Sequence, residues 1–188
     1  MNDITTDTTD TTDTTDTTDL RTVIDGDLES RNETHGASRM STFSERTTIN
    51  APPHAIWAAL ADIGTIAAWH PGLIGSHRTN DIDGLGGTRH CDISTRHSLT
   101  EQVVSFEPAT AITFRIIGST LPFESADIAF TLIDSPQHTG TEVTVSPTYT
   151  LEYGPIGRIL DALTVRRSYR AGMRELLEGL KHHVEQHG

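Results

Sequence analysis

Apolar and polar positions follow two regimes along the chain. Residues 1–40 show no apolar period, and residues 5–19 are five copies of Thr-Thr-Asp. Such a stretch has nothing to bury against the entropy of ordering, which predicts a disordered acidic Thr/Asp-rich tail over 1–40. From Ser41 to Gly188 the pattern is that of one folded domain. Phe43 to Ile49 reads as a strand. Pro52-Pro53 suits a helix start, and His54 to Ala61 spaces Ile56, Trp57 and Leu60 for one buried face. A second short helix, Ile63 to Trp69, stops at Pro71-Gly72.

Strand signals then recur over 73–80, 87–95, 98–107, 111–118, 123–133 and 141–150, with turns at Asp83 to Gly87, Arg96-His97, Pro108 to Thr110, Gly118 to Pro122 and Ser135 to Gly140. Gaps this short favour hairpins, hence an antiparallel meander. After Pro155-Ile156-Gly157 a helical period runs from Arg158 to about Glu185, with Ile159, Leu160, Leu163, Met173, Leu176, Leu177, Leu180 and Val184 on one face. At ~1.5 Å per residue that helix is about 42 Å long, enough to cross a whole sheet. The expected fold is α+β: a seven-stranded curved antiparallel sheet around a long C-terminal helix, with two short helices after the first strand. A bent sheet on one helix leaves space between the layers, where ligand pockets favour forming.

Strand alternation assigns inward faces. Arg89, Cys91 and Ile93 share one side of the third strand, with His90 and Asp92 opposite. Leu99, Glu101 and Val103 share a side of the fourth; Ile112, Phe114 and Ile116 of the fifth; Ala126, Ile128, Phe130 and Leu132 of the sixth; Val143, Val145 and Tyr149 of the seventh. A slip of one residue inverts any of these sets.

Composition narrows the class. The net charge of −12 is concentrated at the start: residues 1–40 hold 10 of the 26 acids and three of the 14 bases, leaving 16 acids against 11 bases in the domain. A mildly acidic domain argues against nucleic acid, whose phosphates want a basic face. One cysteine, Cys91, rules out an intramolecular disulfide and suits a reducing compartment. No run approaches the ~20 apolar residues of a bilayer crossing, so integral membrane contact is not expected. The N-terminus lacks the basic-then-apolar layout of a signal peptide, which completes the expectation of a cytoplasmic protein.

Several short segments then point to a family. They are Ile49-Asn50-Ala51-Pro52 with Ile56-Trp57, Asp62-Ile63, Trp69-His70-Pro71 and Gly84-Leu85-Gly86-Gly87-Thr88-Arg89. Further on come Thr100 to Val103 ending at Phe106-Glu107-Pro108, Phe114 to Gly118 with Leu121-Pro122-Phe123, and Gly140 to Val143 before the long helix. In this order, residues 46–184 resemble the START-like SRPBCC superfamily, in its polyketide cyclase/dehydrase and lipid-transport branch. The resemblance implies a helix-grip fold (START/Bet v-like) with a hydrophobic cavity between sheet and C-terminal helix. Its members include cyclases, carriers and hormone receptors, so fold does not choose the function.

Glu101 is the most informative candidate: a carboxylate on an otherwise apolar inward face is costly unless paired or hydrated. It resembles a cavity-facing Glu of the abscisic-acid receptor branch. It reads equally as an anchor for a ligand oxygen or as the partner of Arg89, diagonally across the hairpin. His70 matches a position that supplies a basic group at the cavity mouth, where it would bind an acidic ligand or shuttle protons near neutral pH; the competing reading is an exposed loop histidine. Tyr149 and Tyr153 flank the cavity in the family picture. Cys91 reads as a small buried hydrophobe, and Trp57 and Trp69 lean to core. The candidate ligand-facing set is Trp69, His70, Arg89, Cys91, Glu101, Val103, Phe114, Ile116, Ile128, Phe130, Tyr149 and Leu163.

The remaining histidines show no metal-ligand spacing, and the glycines at 84–87 sit between strands rather than before a helix, so neither a metal nor a dinucleotide cofactor is expected. No nucleophile–base–orienter set is legible, and no catalytic residue is assigned. A carrier or sensor of a small hydrophobic or aromatic ligand ranks first, a polyketide cyclase/dehydrase-type enzyme second, and a protein-interaction role third. Oligomeric state is not legible.

Overall fold

The computed structural model of the chain describes residues 40–134, 140–151 and 166–187. All belong to one unit, Ser38–Gly188. The Thr-Thr-Asp repeats, the linker up to residue 39, Tyr153, the helix predicted over 158–165 and Leu163 lie outside the described residues.

The strands are β1 (Ser41–Thr42), β2 (Glu45–Ile49), β3 (Gly75–Arg78), β4 (Thr88–Asp92), β5 (Ser98–Glu107), β6 (Ala111–Ser119), β7 (Phe123–Asp134) and β8 (Thr141–Leu151). They form one antiparallel sheet in which β8, β7, β6, β5, β4 and β3 follow in order and both β1 and β2 pair with β8. The strand predicted over 43–49 begins at Glu45, and a separate short piece, β1, precedes it. The ladder breaks opposite Pro147, which has no N–H to donate. A Ser44–Ser146 hydroxyl bond of 2.8 Å spans the gap.

Between β2 and β3 lies α1 (Pro53–Ala61), with proline at its first position where a missing N–H costs nothing. The second predicted helix is a 3-10 helix, Ile63–Ala68, rather than an α-helix. The long helix α2 spans Arg166–His187 and buries Met173, Leu176, Leu177, Leu180 and Val184. At roughly 1.5–3 kcal/mol for each buried side chain, this stripe contributes on the order of 10 kcal/mol to docking the helix on the sheet.

Alternation predicts the faces correctly. Ile112 and Phe114 are buried while Arg115, the next residue, is exposed and paired through two bonds with Asp127 across the β6–β7 ladder. Two register shifts bend β5 against β6, between Thr100 and Glu101 and between Val103 and Ser105. The first leaves Ile117 without a partner in the ladder and half exposed. The glycine stretch makes the expected turn, with Gly84 and Gly86 at φ of 75° and 87°.

Candidate functional site

The two bends in β5 open the sheet away from the first half of α2. Between them lies a cavity of about 280 Å³, at the low end of the range typical of small-molecule sites. The 3-10 helix and the turn after it contribute Ile66, His70, Gly72 and Leu73; the strands and their turns contribute Arg89, Cys91, Ile93, Leu99, Glu101, Ile116, Leu121, Phe123, Ile128 and Phe130; α2 contributes Tyr169, Gly172, Met173 and Leu176. The wall is apolar apart from a few groups gathered around one carboxylate.

That carboxylate is Glu101. It stands directly opposite Arg89 in the β4–β5 ladder, not diagonal to it. The Arg89 Nε donates to Glu101 Oε2 at 2.6 Å, and both side chains are 4% exposed. The guanidinium carbon also lies over the Phe114 ring, 4.0 Å from its centroid. A strand pair sets this geometry because facing residues on one side of an antiparallel ladder meet without adjusting the backbone. Of the two readings of Glu101 the geometry shows the ion pair with Arg89, and that pair also lines the cavity.

The Cys91 thiol contacts the same Oε2 at 3.9 Å. Burial, reinforced by the Glu101 charge, pushes its pKa up to about 12, so it is a protonated wall group and not a nucleophile. His70 is half-buried in the wall rather than exposed on a loop. Its Nδ1 accepts the Gly72 N–H at 3.0 Å, which leaves the proton of the neutral ring on Nε2. Burial holds its pKa near 4, with Glu101 opposing and Arg89 assisting. At neutral pH it carries no charge, so the expectation of a basic group or a proton shuttle near pH 7 is corrected.

Of the other candidates, Ile116, Ile128 and Phe130 line the cavity; Trp69, Val103, Phe114 and Tyr149 are buried but do not. The alternation found the correct face but not the position along it. Phe114 is covered by Arg89 and packs edge-on against Phe130, and Tyr149 is covered by Phe123 and Tyr169 with ring centroids 6.1 and 5.1 Å away. Trp69 packs into the core, where its indole N–H has no hydrogen-bond partner among the described residues.

The sequence reading missed Tyr169. Its ring walls the cavity, its hydroxyl is buried without a partner among the described residues, and burial followed by the charge of Glu101 pushes its pKa up. Its place four residues before Met173 on the same helical stripe was the available signal. Among the described residues no group of three or more His, Cys, Asp or Glu side chains is placed to hold a metal ion, and no helix is long and apolar enough to cross a membrane.

Comparison with known proteins agrees with this architecture. No curated protein matches the sequence. A protein from Thermus thermophilus superimposes with a TM-score of 0.65 at 17% identity, covering 78% of this chain and 98% of its own. Zhui aromatase/cyclase from Streptomyces sp. R1128 gives 0.63 at 14%, covering 79% and 95%. Major latex-like protein 151 from Panax ginseng gives 0.61 at 13%, covering 77% and 97%. At these identities the likeness is one of fold, the helix-grip arrangement of a curved sheet and a C-terminal helix. Residues 40–185 match the model of one family, and by that match the chain belongs to the polyketide cyclase/dehydrase and lipid transport family.

Proposed function

We propose that the protein binds a small hydrophobic molecule in the cavity between β4–β7 and the first half of α2, as a carrier or sensor. The observation that carries the reading is a partly open pocket of about 280 Å³ with an apolar wall and few polar groups, an arrangement suited to holding and orienting a ligand. The reading takes the cytoplasm as its location, in keeping with a single cysteine that is buried.

Gly172 supplies the test. It lines the cavity, and a Cβ built on it meets nothing within 4 Å. Gly172→Phe should place a ring in the void without disturbing the fold. An apolar fluorescent dye should enter the natural protein and be shut out of this variant, with unchanged far-ultraviolet dichroism. Equal dye uptake by the two chains would show that the cavity is not the binding site.

A second reading is a cyclase or dehydrase acting on a polyketide-like carbonyl compound. It is supported by the convergence of Arg89, Glu101 and His70 in one wall, and by an aromatase/cyclase among the fold neighbours. There Glu101 would transfer a proton and Arg89 would stabilise an enolate oxygen. Glu101→Gln separates the two. An enzyme would keep binding its substrate and lose turnover, whereas a carrier would show only a change in affinity.

A further inference from the structure

We infer that the cavity selects an uncharged ligand carrying a hydrogen-bond-accepting oxygen, received by the Tyr169 hydroxyl beside the Arg89–Glu101 pair, and that it discriminates against carboxylates. The inference rests on the ligand-binding reading above and adds the chemical class of the ligand.

Charge comes first. Among the described lining residues the sole permanent cation is Arg89, and its charge is already met by Glu101 at 2.6 Å. His70 cannot supply a second, since burial keeps it neutral until about pH 4. None of the cations of the first half of α2 lines the cavity: Arg166 and Arg167 are exposed, and Arg170 and Arg174 both pair with Glu45 of β2. A ligand carboxylate entering this space would give up its water, find no free cation among the described lining residues, and approach Glu101. Desolvated charge without a partner is the costliest group to bury.

Hydrogen-bonding polarity comes second. The Tyr169 hydroxyl is buried and unpartnered among the described residues, and an unmet buried donor costs free energy that a ligand acceptor would recover. The His70 Nε2 carries the ring proton because Nδ1 is occupied by the Gly72 N–H. Tyr169, His70 and Cys91 line the same cavity as Glu101, with the Cys91 thiol 3.9 Å from its Oε2. Two neutral donors beside a self-neutralised ion pair fit a ketone, an aldehyde, an ether or a hydroxyl oxygen.

The test compares three probes of one shape with the full-length protein at pH 7.5: naphthalene, 2-acetylnaphthalene and 2-naphthoate. One neutral hydrogen bond should make the ketone bind roughly three- to tenfold more tightly than the hydrocarbon. The carboxylate should bind at least about tenfold more weakly than the ketone. Tyr169→Phe should bring the ketone-to-hydrocarbon ratio close to one. Glu101→Gln leaves Arg89 as an uncompensated cation and should shift preference toward 2-naphthoate. If that variant does not fold, the probe order and the Tyr169→Phe ratio still decide the matter. Binding of 2-naphthoate as tight as the ketone, or an unchanged ratio in Tyr169→Phe, would overturn the inference while leaving the cavity a binding site. If none of the three probes binds, the ligand-binding reading itself is lost.

Discussion

Two glycines on α2, seven residues and about two turns apart, sit in opposite surroundings. A Cβ on Gly179 would collide with the Trp69 carbonyl oxygen and lie 2.9 Å from Pro71 Cδ, whereas a Cβ on Gly172 would meet nothing within 4 Å. The second half of the helix packs Leu177, Leu180 and Val184 into the core with Ile56 and Leu60 of α1. The first half offers Tyr169, Met173 and Leu176 to a void. One helix therefore does two jobs. Its far end is sealed by backbone contact so close that only glycine fits, and this anchors the near end above the bent strands without filling the space. The cavity follows from where the bulk is placed and from the register shifts in β5, with no special cavity-forming residue.

The polar pair is the sharpest contrast between the two ends, since Arg89 and Glu101 are the buried charged residues among those described and both belong to the cavity end. Glu101→Ala should cost about 3–5 kcal/mol in chemical denaturation, because it leaves Arg89 buried without a counter-charge. The double replacement Arg89→Met with Glu101→Leu should recover most of that loss. A single-variant cost below about 1 kcal/mol would mean that water reaches the pair, and the cavity end would then be wetter than its apolar wall implies.

The glycines themselves give the next effect. Gly179→Ala should lose about 1–3 kcal/mol of stability, overpacking outweighing the better helix propensity of alanine. Gly172→Ala should gain about 0.5–1 kcal/mol, because propensity acts alone there. Thermal melts of the two variants moving in opposite directions would support the contrast. If they move together, the helix sits on both ends in the same way.

Most of the architecture was legible in the sequence, and the reasons are local. Period-two alternation and short turns fix antiparallel neighbours, so Arg89, Cys91 and Glu101 fall on one side from the pattern alone. What alternation does not encode is how far along a strand the space extends. Val103 and Phe114 share the correct face yet lie beyond the cavity, because the bends that open the sheet arise from register shifts with no clear signature in composition. The break at Pro147 was the opposite case, a visible signal whose consequence for the first strand needed the pairing partner to be known. Tyr169 went unnoticed because a tyrosine on an amphipathic helix looks like any other core residue until its hydroxyl is found without a partner.

The smallest expected effect concerns His70, which belongs to the open end and should report on it. Unfolded, its imidazole takes up a proton near pH 6.5; folded, burial delays this to about 4, with Glu101 working against the shift and Arg89 with it. Between those values the unfolded chain holds more protons than the folded one, so His70 makes stability fall as pH drops through the window, while above about 6.5 it contributes no slope. His70→Gln retains an acceptor for the Gly72 N–H but does not titrate. The natural protein should therefore lose more stability than His70→Gln between pH 7.5 and 5 in urea denaturation, whatever the carboxylates contribute to both. Parallel losses would mean that His70 keeps its water when the chain folds. The cavity would then be open to solvent at the 3-10 helix, and the neutral, donor-lined end on which ligand selection depends would not exist at working pH.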